Sequence, residues 1–161
     1  MDTDIIENLK SLHTSEVDAR NGYQEALDDA KGKGMTALFA GMVALHRDNA
    51  EELARELTKA DQIADEEGSF MTVVHKTIMD IRSLFNGLGQ SVLPGLIDGE
   101  KRNISKYDDA LKDAKTPPAL AKLLSAQRGR IAQKIALMET QKAAFERATS
   151  YYRCEAVFSG G

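Results

Sequence analysis

Glu16, His46 and Glu100 are polar residues set into stripes that otherwise call for hydrocarbon. Leu9, Leu12, Glu16, Ala19 and Tyr23 step along the chain by three and four, and so do Leu93, Leu96, Glu100, Ile104 and Tyr107. That spacing keeps each set on one face of a helix. A carboxylate on a core face is costly unless it is paired, protonated or bound to a metal. His46 follows Met42 by four, and Gln127 follows Leu123 by four, so the same face of two further helices carries an imidazole and an amide. Two chemistries fit this set. In one, Glu16, His46 and Glu100 hold a divalent ion, with Gln127 and water completing its shell. In the other, which is preferred, no cofactor is bound and the residues form a buried polar network. Arg130 then supplies the positive charge, its guanidinium bidentate to Glu100 or Glu16. That version predicts a loss of roughly 3–5 kcal/mol on Arg130→Ala, because a buried carboxylate would lose its partner.

The carboxylates belong to an internal repeat. Residues 16–31 read EVDARNGYQEALDDAK and residues 100–115 read EKRNISKYDDALKDAK. At an offset of 84, Glu16 matches Glu100, Tyr23 matches Tyr107, and Asp29-Ala30-Lys31 matches Asp113-Ala114-Lys115. At the same offset His46 matches Arg130, and Val43 matches Gln127. Both tyrosines are expected to reach hydroxyls across the interior.

The elements that must position these groups are helices. The chain of 161 residues contains 21 Ala and 16 Leu against 9 Ile and 6 Val, with 3 Pro and no Trp. Ala and Leu are the best apolar helix formers, and scarce Pro permits long helices, so an all-β fold is excluded. The periodicity predicts helices over about 4–30 and 35–64, a shorter one over about 69–85, and two more over about 90–114 and 117–158. Breaks fall at Lys31-Gly32-Lys33-Gly34, Gly68, Asn86-Gly87-Leu88-Gly89 and Lys115-Thr116-Pro117-Pro118. Two antiparallel hairpins joined by a long, largely helical crossover are the connectivity of a ferritin-like four-helix bundle.

With those residues in place, the chain resembles the ferritin-like superfamily. A Glu seven residues before a Tyr on the first helix, repeated on the third bundle helix, is similar to rubrerythrin-type di-iron bundles, and EVDARNGY is the stretch that carries the likeness. The resemblance implies one Glu from the first and third bundle helices and Glu-x-x-His from the second and fourth. Glu16, His46 and Glu100 keep the implied ligand types. Val43, Gln127 and Arg130 depart from them, so the iron site the resemblance implies is degraded. A closer likeness, over about residues 5–140, is to bacterial ferritin-like bundles of unknown function. It rests on Gly22-Tyr23, on the crossover stretch GSFMTVVHKTIMDIRS and on Gly99-Glu100. It implies a stress-associated setting.

The remaining features narrow the setting. A net charge of −4 without a basic tract disfavours nucleic acid. No apolar run approaches a membrane span, and the acidic N-terminus lacks a secretory pattern, so a cytoplasmic protein is expected. Cys154 is the single cysteine, which suits a reducing compartment. His13 reads as a boundary residue and His75 as a packing or surface residue of the crossover. No nucleophile constellation or phosphate-binding glycine loop marks an enzyme. The bundle is expected to occupy residues 1–140, leaving 141–161 as an extension and tail. Phe145, Tyr151, Tyr152 and Phe158 lie on that extension, which is expected either to fold over the crossover or to pair with a second copy in a homodimer.

Overall fold

A computed structural model describes residues 1–29, 34–66 and 89–158. Helix α1 runs Thr3–Asp29, α2 Thr36–Lys59, α3 Leu93–Lys112 and α4 Pro118–Phe158. A 3-10 turn over Gln90–Val92 leads into α3. The described residues contain no strand, and the four helices form an all-α bundle.

Each helix turns its three-and-four stripe inward. On α1 that stripe consists of the buried residues Ile5, Leu9, Leu12, Glu16, Ala19, Tyr23 and Ala26. Leu38, Phe39, Met42, Leu53 and Leu57 answer from α2, Leu93, Leu96, Ile97 and Tyr107 from α3, and Leu120, Leu124, Ile131 and Met138 from α4. α1 packs most extensively on α2, and α3 on α4, so the two hairpins are the principal packing units. Contacts Tyr23–Glu100 and Glu16–Tyr107 show that α1 and α3 run antiparallel. Gln127–Glu52 fastens α4 to α2.

Two boundaries differ from the sequence pattern, each for a local reason. α2 was expected to reach Ala64 but stops at Lys59. Asp61 adopts φ 56°, its N–H reaches Thr58 O at 3.0 Å, and the N–H of Gln62 reaches Leu57 O at 2.9 Å. This paired closure ends a helix with one left-handed residue, a place usually held by glycine, which a search for Gly or Pro overlooks. α3 begins at Leu93 because the 3-10 turn takes the preceding residues and Pro94 occupies the first helical turn, where its missing N–H costs nothing. The expected third helix, with His75, and the side chains of Cys154 and Phe158 lie outside the described residues.

Past α2 the chain lies against α1. Arg20 reaches Glu66 through Nη2 to the backbone oxygen at 3.5 Å and Nη1 to the carboxylate at 3.8 Å. His13 Nε2 is 3.6 Å from the same carboxylate. His13 is therefore no boundary residue: it is 1% exposed, and burial holds its pKa below the ordinary histidine value despite the neighbouring Glu66. Among the described residues no helix is long and apolar enough to cross a membrane.

Candidate functional site: a buried carboxylate–imidazolium–carboxylate core

Three helices deliver the polar residues to one level of the bundle. Glu16 from α1, His46 from α2 and Glu100 from α3 are each no more than 1% exposed. His46 lies between the carboxylates. Its Nδ1 is 2.6 Å from Glu16 Oε2 and its Nε2 is 3.1 Å from Glu100 Oε1. An ionised carboxylate only accepts hydrogen bonds, so satisfying both contacts requires a proton on each ring nitrogen. His46 is thus an imidazolium. Burial pushes its pKa down, but Glu100 and Glu16 push harder and raise it to about 10. The Tyr23 ring lies over the imidazolium, with centroids 5.5 Å apart and an interplanar angle of 7°, which adds a cation–π contact.

The tyrosines are crossed between the hairpins. Tyr23 of the first donates to Glu100 Oε1 of the second at 2.8 Å. Tyr107 of the second donates to Glu16 Oε1 of the first at 2.8 Å. Burial, followed by the adjacent carboxylate, raises both phenol pKa values well above the ordinary value, so both hydroxyls keep their protons. Glu16 also accepts from Asn49 Nδ2 at 3.2 Å and Asn103 Nδ2 at 3.1 Å. Four donors therefore surround its two oxygens. For Glu100, burial opposes ionisation, yet His46, Tyr23 and Asn103 together hold its pKa below the usual carboxylate value. Its Oε2 has no hydrogen-bond partner among the described residues.

Gln127 links this core to the surface. Its Nε2 donates to Asn49 O at 3.2 Å and Glu52 Oε2 at 2.9 Å, which fixes the amide orientation. Its oxygen then faces the Tyr107 hydroxyl at 3.0 Å. A phenol has one proton to give, and the nearer, charged Glu16 oxygen takes the larger share of it. Glu52 in turn pairs with Arg130 through both guanidinium Nη atoms.

Of the residues the sequence pattern grouped, Glu16, His46, Glu100 and Gln127 lie in one network, whereas Arg130 lies outside it. Arg130 does not meet Glu16 or Glu100. It leans toward α2, is 37% exposed and pairs with Glu52. The positive charge between the carboxylates belongs to His46, leaving no place there for a guanidinium. Three participants escaped the pattern. Asn103 stands three residues after Glu100, and Asn49 three after His46, on faces where Ile104 and Ala50 look like natural stripe members. Glu52 sits in a charged tract that reads as solvated.

The donor set does not fit a di-iron centre. Val43 is an apolar residue packed against the core where a bridging carboxylate is needed. Gln127 and Arg130 are engaged with Glu52. Both nitrogens of His46 already face carboxylates. Among the described residues no group of three His, Cys, Asp or Glu side chains is arranged to hold an ion.

Fold and site together define a class: an all-α four-helix bundle whose interior carboxylates are closed by a protonated histidine. The family model described as "Domain of unknown function (DUF2383)" matches residues 4–113, more than half of the chain. The chain belongs to that family. The match takes in Glu16, His46 and Glu100 and stops at the end of α3, leaving Gln127, Arg130 and all of α4 outside it. Comparison with curated proteins gave no match.

Proposed function

We propose that this protein is a non-catalytic, ferritin-like helical bundle that works through protein interaction, in a cytoplasmic and stress-associated setting. One observation carries the non-catalytic reading: His46 uses both ring nitrogens to bridge Glu16 and Glu100. In that state the imidazolium offsets one of the two carboxylate charges and has no lone pair for a metal or for general-base chemistry. The core then specifies how the two hairpins meet, which is the best-attested use of buried polar networks. Interaction falls to the exposed part of α4. The opposing reading, metal binding by Glu16, His46 and Glu100, makes a distinct prediction. Protein purified without chelator and then equilibrated with Fe(II) or Zn(II) should retain no stoichiometric ion. Retention of one ion per chain, lost in Glu16→Ala, overturns the proposal.

A further inference from the structure

The buried stripe of α4 does not end with the bundle. Gln127, Ile131, Ile135 and Met138 are buried, and the same face continues through Lys142, Phe145, Thr149 and Tyr152. From Met138 onward the steps are four, three, four and three, the seam of a two-stranded coiled coil. α3 has 20 residues against 41 in α4, and every side chain described from Ala144 to Arg153 is exposed. Met138 is 0% exposed, whereas Phe145 is 43% and Tyr152 71% exposed.

We infer that a second copy of this chain covers that stripe, with the two α4 extensions antiparallel and Thr149 packed against Tyr152 of the partner subunit. Three observations select this occupant and register. First, Glu146 and Arg153 both flank the seam on the same side, one residue after Phe145 and Tyr152. Antiparallel helices bring like flanking positions together, so this register sets Glu146 beside Arg153 of the partner subunit, twice by symmetry. A one-heptad slide toward the bundle would oppose Glu146 to its own copy. A parallel pair would set Gln141 beside Glu146 of the partner subunit, and Ala148 beside Arg153 of the partner subunit, which offers no charge pairing. Second, the Thr149 hydroxyl already donates to Phe145 O at 2.9 Å, so burying it strands no donor. Third, the overlap suits the extension. Pairing Thr149 with Tyr152 of the partner subunit makes residues 143–158 overlap, so each helix tip reaches the end of the partner's bundle without running past it. The paired segments are about 24 Å long, a small interface for which a dissociation constant of the order of micromolar is expected.

This inference rests on the interaction role proposed above, but it is read by mass rather than metal content, so either can fail alone. Sedimentation of the full chain at tens of micromolar is expected to give twice the 17.6 kDa of one chain. Glu146→Arg and Arg153→Glu should each weaken the dimer by roughly tenfold or more, since each places like charges together at both ends. The double variant should restore it. Mixing the two single variants should yield a heterodimer, because each then carries the charges the other lacks. A monomeric native chain overturns the inference, and so does a dimer whose mass and affinity ignore both reversals. A heterodimer from mixing also shows that neither variant failed to fold.

Discussion

Replacing His46 by Gln should remove most of the dependence of stability on pH between about 6 and 10. In the folded protein the imidazole titrates at about 10 against an ordinary 6.5. Between those values the folded state holds a proton that the unfolded state has released, so stability falls as pH rises. The contribution is fully present below about pH 6.5 and is lost by the time pH passes 10. At about 1.4 kcal/mol per pKa unit the whole contribution is at most about 5 kcal/mol. An independent estimate agrees: two charge-assisted hydrogen bonds at roughly 1.5–3 kcal/mol each span the same range. Urea unfolding at intervals between pH 6 and 10 measures the slope directly. Native protein should lose roughly 1.4 kcal/mol per pH unit through the middle of the window, and His46→Gln should be flatter by about that amount. The variant is also less stable at pH 7, since a neutral amide cannot satisfy two carboxylates at once. Parallel slopes in the two proteins would refute the reasoning, as would an NMR titration placing His46 near 6.5.

Arg130→Ala should cost only about 1 kcal/mol or less in urea or thermal unfolding, because Arg130 and Glu52 are 37% and 26% exposed and water screens the pair. A loss near 4 kcal/mol would return the guanidinium to the buried carboxylates. Asp61→Gly should raise the melting temperature, by an increment corresponding to roughly 1 kcal/mol, since φ 56° is a conformation glycine adopts without steric cost. An unchanged or lower melting point would show that the Asp61 side chain offsets the backbone strain.

Much of this arrangement was legible in the residues because helix periodicity is a strong and local signal. Leu9, Leu12, Ala19 and Tyr23 mark the inward face of α1, and their spacing alone puts Glu16 on that buried face. The internal repeat did the same for Glu100 and Tyr107. What periodicity cannot supply is the partner of each buried charge. His46 and Arg130 occupy equivalent positions in the two hairpins, and both can carry a positive charge. Only the packed structure, in which Arg130 pairs with Glu52, separates the one that enters the core from the one that leaves it. Helix ends show the same limit. The closure at Asp61 depends on two backbone hydrogen bonds and one left-handed residue, and aspartate is an unusual occupant of that place.

The crossed tyrosines carry a consequence for how this architecture could be assembled from half its length. A single hairpin bearing a glutamate and, seven residues on, a tyrosine cannot satisfy its own carboxylate. Two identical hairpins facing each other would form the same phenol–carboxylate bond twice, each supplying what the other lacks. The bonds Tyr23–Glu100 and Tyr107–Glu16 are the fused version of that exchange. One imidazolium shared between both carboxylates is the element such a duplicate could not keep twice. His46 alone spans both carboxylates, and the equivalent position on α4 holds Arg130, which pairs with Glu52.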